Sequence, residues 1–378
     1  MPVLFPLRNA PLRFRLAAGA LSCSVGNRRT IFAEASQQLF EVDEITAYIT
    51  SELSQATSFE ELEANLVGEG MGKSLARSHL KQYLRFWSRR GLLQVEFENG
   101  DGSPVRSEFV EIAGRVIRVS CYDEALMELV RPMLPPGGSR AGSAFNHYIL
   151  ARFGDGVCIA GPGQDALIIS RREAAPALKG LLTEEVITNL GMHTALHGAL
   201  LANDSGAIFL CGSPGAGKTT LALALMQCGF QSYADDIALL HADGTISGVA
   251  FASAVKAHSW NLLPQIRESL FSHPVHHRLD GKLVRYLPPP PHDEHRSIIL
   301  RTIVLLNRTR RGAVRTLPLE PLQVLAKMIS EANNPQRRLS ATQFESMLGV
   351  VTAARGIELT YSQLDEGAQA LARFHDAG

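Results

Sequence analysis

The sequence predicts an α/β core with a β-rich lobe, preceded by a small α+β domain, and three observations predict it. The apolar run Ala207-Ile208-Phe209-Leu210-Cys211 leads through the glycine-rich Gly212 to Thr219 into the helix-forming Leu221 to Met226, the order strand, loop, helix. Short β-like runs flank three helical periodicities in the first hundred residues. A dense run of turn formers, Asn99-Gly100-Asp101-Gly102-Ser103-Pro104, falls between these regions and marks a domain boundary.

A chain of 378 residues is long for one domain, so two or three units are expected. Its 37 basic and 37 acidic residues balance, which gives no global electrostatic case for nucleic acid or an anionic membrane as partner. Five scattered cysteines without a CxxC pair argue against a disulfide framework and fit a reducing cytoplasm. Pro2, Pro6 and Pro11, with interleaved arginines, interrupt the apolar character of the start, and no stretch reaches membrane-spanning length.

Leu12 to Leu16 and Arg29 to Ala33 read as strands with Gly26-Asn27 as a turn between them, giving a hairpin or three-stranded sheet. Ile45, Ile49 and Leu53 mark a first helix, Phe59, Leu62 and Leu66 a second, and Leu80, Tyr83, Leu84 and Trp87 a third that ends near Gly91. Leu92 to Phe97 reads as a strand, so the order is that of a winged-helix-like plan over residues 1–100. Gly68 to Ser74 imitates a phosphate loop, but the position six before Lys73 is Val67 and no strand precedes it; it reads as an interhelix loop.

Beyond the turn-rich break, strands are expected within Phe109 to Val119, near His147 to Phe153, Val157 to Ala160 and Ala166 to Ile169, with a helix at Ala125 to Val130. These form a β-rich lobe leading into a nucleotide core over residues 105–378. Glu184 to Leu201 reads as helical and carries His193 and His197. After the loop, Ile237 to Leu240 and Ile303 to Leu306 read as buried strands, Pro288 to Pro291 as a stiff break, and Leu319 to Ile329 and Gln343 to Ala354 as helices. Ile357 to Tyr361 is a last strand before a terminal helix.

Gly212-Ser213-Pro214-Gly215-Ala216-Gly217-Lys218-Thr219 satisfies the phosphate-binding pattern G-x-x-x-x-G-K-[ST] at every constrained position. Its glycines let backbone N–H groups converge on phosphate oxygens, and the helix dipole adds favourable potential at that point. Lys218 would reach the β and γ phosphates of ATP or GTP and the Thr219 hydroxyl would ligate Mg²⁺, with Thr220 a second hydroxyl outside the motif. Downstream, Asp235 and Asp236 precede a strand; adjacent residues on a strand point to opposite sides, so the two carboxylates can serve different jobs, one holding Mg²⁺ and one facing the hydroxyl to be phosphorylated. Lys282 and Arg285 are candidates to meet phosphate or the acceptor, although surface charges are commoner. His273, His276 and His277 lack a carboxylate or cysteine at ligand spacing and read as solvent-exposed histidines.

Two resemblances attach to these residues. LFEVDEITAYITSEL, TSFEELEANL and LKQYLRFWSRRGLL resemble the PqqD-like peptide-recognition family, in which an extended leader peptide adds a strand to the exposed edge of the small sheet and lies against the third helix. A DNA-binding winged helix, given Lys81, Arg85, Arg89 and Arg90, and a purely structural cap are the competing readings. HGALL at His197, GSPGAGKT at Gly212 and ADD at Ala234 resemble the HPr kinase/phosphorylase family over roughly residues 105–370. That resemblance implies Asp235 as catalytic base, Asp236 as the neighbouring metal-site carboxylate, His197 as the histidine supporting the base, and a homo-oligomer. The family's further acidic metal ligand and glycine-rich signature are not found in Ala250 to Lys256, where Lys256 instead resembles a lysine of divergent relatives. This weakens the case for sugar regulation and reverse phosphorolysis and leaves phosphoryl transfer.

The expected function is therefore ATP- and Mg²⁺-dependent transfer of the γ-phosphoryl group to a serine or other hydroxyl of a peptide or protein, by resemblance a ribosomal peptide natural-product precursor held by the N-terminal domain. A kinase for a small hydroxyl compound and a non-catalytic nucleotide-gated binding protein are the alternatives. Neither nucleic acid nor a membrane is an expected partner.

Overall fold

The computed structural model describes residues 12–34, 36–97, 103–135, 144–288, 297–335 and 338–377. Packing divides the chain into two compact units, Met1–Val110 with Val116–Val130 and Ser139–Ala174, and Glu111–Arg115 with Arg131–Gly138 and Ala175–Gly378.

The first unit begins with β1 (Leu12–Leu16), β2 (Ala20–Val25), β3 (Arg28–Ala33) and β4 (Gln38–Val42). Then come α1 (Glu44–Glu52), β5 (Thr57–Ser58), α2 (Phe59–Gly68), α3 (Lys73–Ser88) and β6 (Leu93–Phe97). Asp43 starts α1 by accepting the Thr46 N–H at 2.7 Å, and Ser58 with Glu61 forms a reciprocal capping box on α2. The Gly26-Asn27 turn joins β2 to β3, and β2, β3 and β4 form one sheet in chain order. β1 lies elsewhere, between β5 and β6. The Gly68 to Ser74 segment connects two helices and follows no strand.

β7 (Arg106–Ile112), β8 (Arg115–Cys121), α4 (Glu124–Val130), β9 (Asn146–Phe153), β10 (Gly156–Ala160) and β11 (Ala166–Ser170) follow, with the sheet order β11-β10-β9-β8-β7. Phe153, Cys158 and Ile168 of this sheet belong to the same buried core as Phe14, Leu80, Leu84 and Trp87, and the Phe14 and Phe153 rings meet edge to face at 5.4 Å. The lobe that the sequence attaches to the nucleotide core thus packs with the N-terminal elements. Four residues of the turn-rich stretch, 99–102, lie outside the described residues.

In the second unit, α5 (Ala174–Thr188) leads to β12 (Thr194–His197), β13 (Ala199–Asn203), β14 (Gly206–Cys211) and α6 (Lys218–Met226). The helix expected over Glu184 to Leu201 is therefore corrected: it ends at Thr188, and two strands carry the rest. Gly191, at φ 60°, turns the chain after the helix, and the apolar run after it pairs with β14, β15 and β16. Such a run is equally apolar as strand or helix, and only its long-range partners decide.

β15 (Gln231–Ala234), β16 (Ile237–Leu240), β17 (Thr245–Gly248) and β18 (Ser253–Lys256) come next, then α7 (Arg267–Ser272), β19 (His276–His277) and β20 (Leu283–Leu287). The chain closes with β21 (Ile298–Arg308), β22 (Arg315–Pro318), α8 (Pro321–Glu331), α9 (Ala341–Ala353), β23 (Arg355–Tyr361) and α10 (Leu364–Asp376). The expected break at Pro288 to Pro291 falls mostly outside the described residues.

The main sheet runs β12-β16-β17-β21-β14-β13-β15, with β23 beside β21 and β22. β14 is parallel to β21, and β21 to β23. Ile208 and Leu210 of β14 pack with Leu221 and Leu225 of α6 and Leu371 of α10, while Phe209 and Cys211 pack with Val324 and Met328 of α8 and Met347 of α9. Coverage on both faces explains why β14 is continuously apolar instead of alternating.

Candidate active site

The loop Gly212 to Gly217 runs from the end of β14 into α6. Gly217 stands at the N-cap with φ 99° and no side-chain cap, so the first N–H groups of α6 lack an intrahelical acceptor and form an anion-binding end. A Cβ at Gly217 would lie 2.7 Å from the Tyr361 hydroxyl, so both backbone angle and space require glycine. Lys218, 9% exposed, donates from Nζ to the Gly212 carbonyl at 2.7 Å, folding its ammonium back over the loop. Burial lowers its pKa, with Glu331 and Asp236 opposing.

A cavity of about 290 Å³ opens beside the loop, lined by Pro214, Gly215, Gly217, Lys218, Thr219, Asp235 and Asp236, with Lys179 and His197. Asp235 and Asp236 sit between β15 and β16, where the chain carries the two carboxylates to different partners. Asp235 is 7% exposed; its Oδ2 accepts the Ala254 N–H at 3.1 Å, and its Oδ1 is buried without a hydrogen-bond partner. Burial raises its pKa, while Lys179 and the neighbouring Thr219 side chain pull the other way. Asp236 is flanked by Lys179 Nζ at 3.3 Å and His197 Nδ1 at 3.2 Å. Lys179 holds its carboxyl far below the usual carboxylate range, against burial, and His197 adds to the effect.

His197 is thereby placed on Asp236, the carboxylate next to the expected base. β12 pairs with β16 so that His197 faces Ile237, and the Gly198 N–H bonds the Asp236 carbonyl at 3.1 Å, which sets the imidazole beside the second carboxylate. Thr220 also reaches the cavity, but its hydroxyl is shared with Ser259 at 2.9 Å. Ser213 and Ala216 shape the loop through the Ala216 N–H to Ser213 carbonyl turn at 3.0 Å.

Lys179 gave no signal of its own in the sequence. It is a lone lysine in the apolar Ala174 to Leu182 of α5, buried against Asp236 and 5.5 Å above the Phe251 ring. A charged residue inside an otherwise apolar helix face is the pattern that finds such a group. Of the later basic residues, Lys256 and Lys282 line the cavity, whereas Arg285 packs on the Trp260 and Phe271 rings and donates to the Phe271 and His273 carbonyls. His276 is fully buried, which corrects its expected exposure: β19 places it under the Tyr286 ring at 5.3 Å.

Among the described residues, no group of three or more His, Cys, Asp or Glu is arranged to hold a metal ion alone. Mg²⁺ bound with a nucleotide needs less, one or two carboxylates with phosphate oxygens and water. The ionised Asp236 and the Thr219 hydroxyl, both on the cavity, are hard oxygen donors of the type it takes. All five cysteines are free, and among the described residues no helix is long and apolar enough to cross a membrane.

No protein-family model and no curated protein matches the chain. Among solved structures, it is similar to the HPr(Ser) kinase/phosphatase from Coxiella burnetii, at 16% identity over 49% of this chain and 99% of that one, with a TM-score of 0.20. A likeness that weak carries no function, and the chemistry rests on the pocket's own residues.

Proposed function

We propose that this chain is a kinase that transfers the γ-phosphoryl group of a nucleoside triphosphate, ATP or GTP, to a hydroxyl. The observation that carries the reading is the convergence of a phosphate loop, through Lys218 and Thr219, on a buried carboxylate, Asp235, whose Oδ1 has no partner. In the transfer, the acceptor oxygen bonds to the γ-phosphorus, the bond from that phosphorus to the β–γ bridging oxygen breaks, and a nucleoside diphosphate leaves. The hydroxyl proton passes to Asp235, which lines the cavity and has one carboxylate oxygen without a hydrogen-bond partner; such base assistance is typically worth about 10²–10⁴-fold.

The loop N–H groups and Lys218 hold the β and γ phosphates in line with the acceptor. Thr219 and Asp236 would hold Mg²⁺, which supplies neutralisation of phosphate charge when bound. Lys179 and His197 fix the Asp236 carboxylate in place and keep it ionised, as a metal-binding carboxylate must be.

For the acceptor we propose a peptide or protein, a serine-bearing precursor bound by the N-terminal residues. β2 supports this: among the described residues it pairs with β3 alone, and Leu21 and Val25 on it are each 59% exposed, as suits an edge that accepts an added strand. A bound leader would raise the local concentration of a weakly held hydroxyl. The free cysteines support a cytoplasmic setting.

The test is transfer of labelled γ-phosphate from MgATP to a candidate precursor peptide and, separately, to small hydroxyl compounds. Label on the peptide supports the full reading, and label on a small compound alone replaces the acceptor. Nucleotide binding without transfer to any acceptor would make the chain a nucleotide-gated binding protein.

A further inference from the structure

The small sheet β18-β20-β19 brings Lys256 to the cavity, and the loop after β19 brings Arg278 and Lys282. Most cations here are already engaged. Asp280 accepts from Arg278 Nε at 3.2 Å and from Lys282 Nζ at 3.0 Å, Lys179 pairs with Asp236, and Lys218 donates to the Gly212 carbonyl. Among the described residues, the Lys256 ammonium has neither an ion pair nor a hydrogen bond. Its charged surroundings are mostly of its own sign, Arg278, Lys282 and Lys218, with Asp235 opposed to them. A half-buried ammonium among cations is an unfavourable arrangement that a polyanion between them would relieve.

Its position says which part of the polyanion. On β18, Ala254 and Lys256 are two apart and share a face, and the Ala254 N–H is the donor that holds Asp235. Lys256 thus follows closely on the donor that holds Asp235, and it lines the same cavity as Lys218 and the helix end. A phosphoryl group passing from the loop to a hydroxyl beside Asp235 stays within the cavity that both lysines line.

We propose that Lys256 binds the γ-phosphoryl oxygens of the nucleoside triphosphate, so that this pocket senses the third phosphate. The proposal rests on the phosphoryl-transfer reading and deepens it. Lys256 is then a catalytic residue in the strict sense, touching the group in transit, and a diphosphate product loses its contact.

The experiment is calorimetric titration of the full chain with MgATP and, separately, MgADP, for wild type, Lys256→Met and Lys256→Arg. Lys256→Met keeps the length and apolar stem of the side chain, and thermal melting of each variant checks that it folds. Lys256→Met is expected to weaken MgATP binding by about tenfold or more and MgADP by no more than about twofold, the size expected for a charge-assisted contact. Lys256→Arg should retain the triphosphate preference. Equal weakening of both nucleotides, or no change in either, would overturn the inference while leaving the transfer reading intact. Wild-type protein that binds neither nucleotide would overturn both.

Discussion

Lys179 and Asp236 lie 57 residues apart in the chain and meet at 3.3 Å, the lysine buried at 8% side-chain exposure and the carboxylate at 39%. This ion pair, with His197 at its other oxygen, fixes the second carboxylate of the pocket. Removing the lysine alone strands a partly enclosed negative charge; removing the carboxylate alone strands a buried positive one. Lys179→Met and Asp236→Asn should each lower unfolding free energy by about 1–2 kcal/mol, discounted for the exposed side of Asp236. The double variant should lose less than the sum. Chemical denaturation of the four proteins checks this; strict additivity would mean the pair contributes nothing.

Gly248 on β17 has no room for a side chain. A Cβ there would stand 1.9 Å from the Tyr233 carbonyl oxygen, a backbone atom that cannot swing aside. Gly248→Ala is expected to cost several kcal/mol or to prevent folding. Gly180 is the control: it lies inside α5 with nothing within 4 Å of an added Cβ, and Gly180→Ala should raise stability by about 0.5–1 kcal/mol. Melting curves that failed to separate the two variants would contradict the packing described at β17.

Gly217→Ala tests the loop. At φ 99°, with the Tyr361 hydroxyl 2.7 Å from the added carbon, the loop must distort. The N–H groups of the helix end then leave their common focus. MgATP affinity should fall about tenfold or more, with only about 1–2 kcal/mol lost from unfolding free energy. Undiminished nucleotide binding would place the nucleotide elsewhere.

His276 gives the fold a pH dependence. It is buried, both ring nitrogens lack partners, and Arg285, His273 and His277 add positive potential, so burial foremost pushes its pKa down to about 4 from 6.5. A folded value below the unfolded one means the unfolded chain binds the proton more readily. Stability is therefore full above about pH 6.5 and declines as pH falls towards 4, by about 2–3 kcal/mol in total. His276→Leu should flatten that interval relative to wild type. Parallel stability curves for the two proteins between pH 4 and 7 would exclude the histidine as the cause.

The parts legible in the sequence are those whose signals are local. Strand, loop and helix at Gly206 to Met226 follow from one apolar run and one spaced motif, and α1, α2 and α3 follow from periodicity and caps. The paired carboxylates were also visible as adjacent letters. What stayed hidden depends on partners far along the chain. Thr194 to Asn203 is strand because β14, β15 and β16 receive it, and nothing within the segment says so. His197 was found by spacing, but its choice of Asp236 over Asp235 is set by the β12–β16 register. Lys179 is not legible in the sequence because its counter-charge, Asp236, lies far along the chain.

The central claim is that Asp235 accepts the proton of a hydroxyl receiving the γ-phosphoryl group held by Lys218. The direct measurement is a single-turnover reaction of the full chain with MgATP and a candidate precursor peptide, read by intact-mass spectrometry for wild type and Asp235→Asn. A phosphate-sized mass gain on the peptide is expected with wild type and a rate lower by about 10²-fold or more with Asp235→Asn, while both proteins bind MgATP. Equal rates for the two proteins would contradict it.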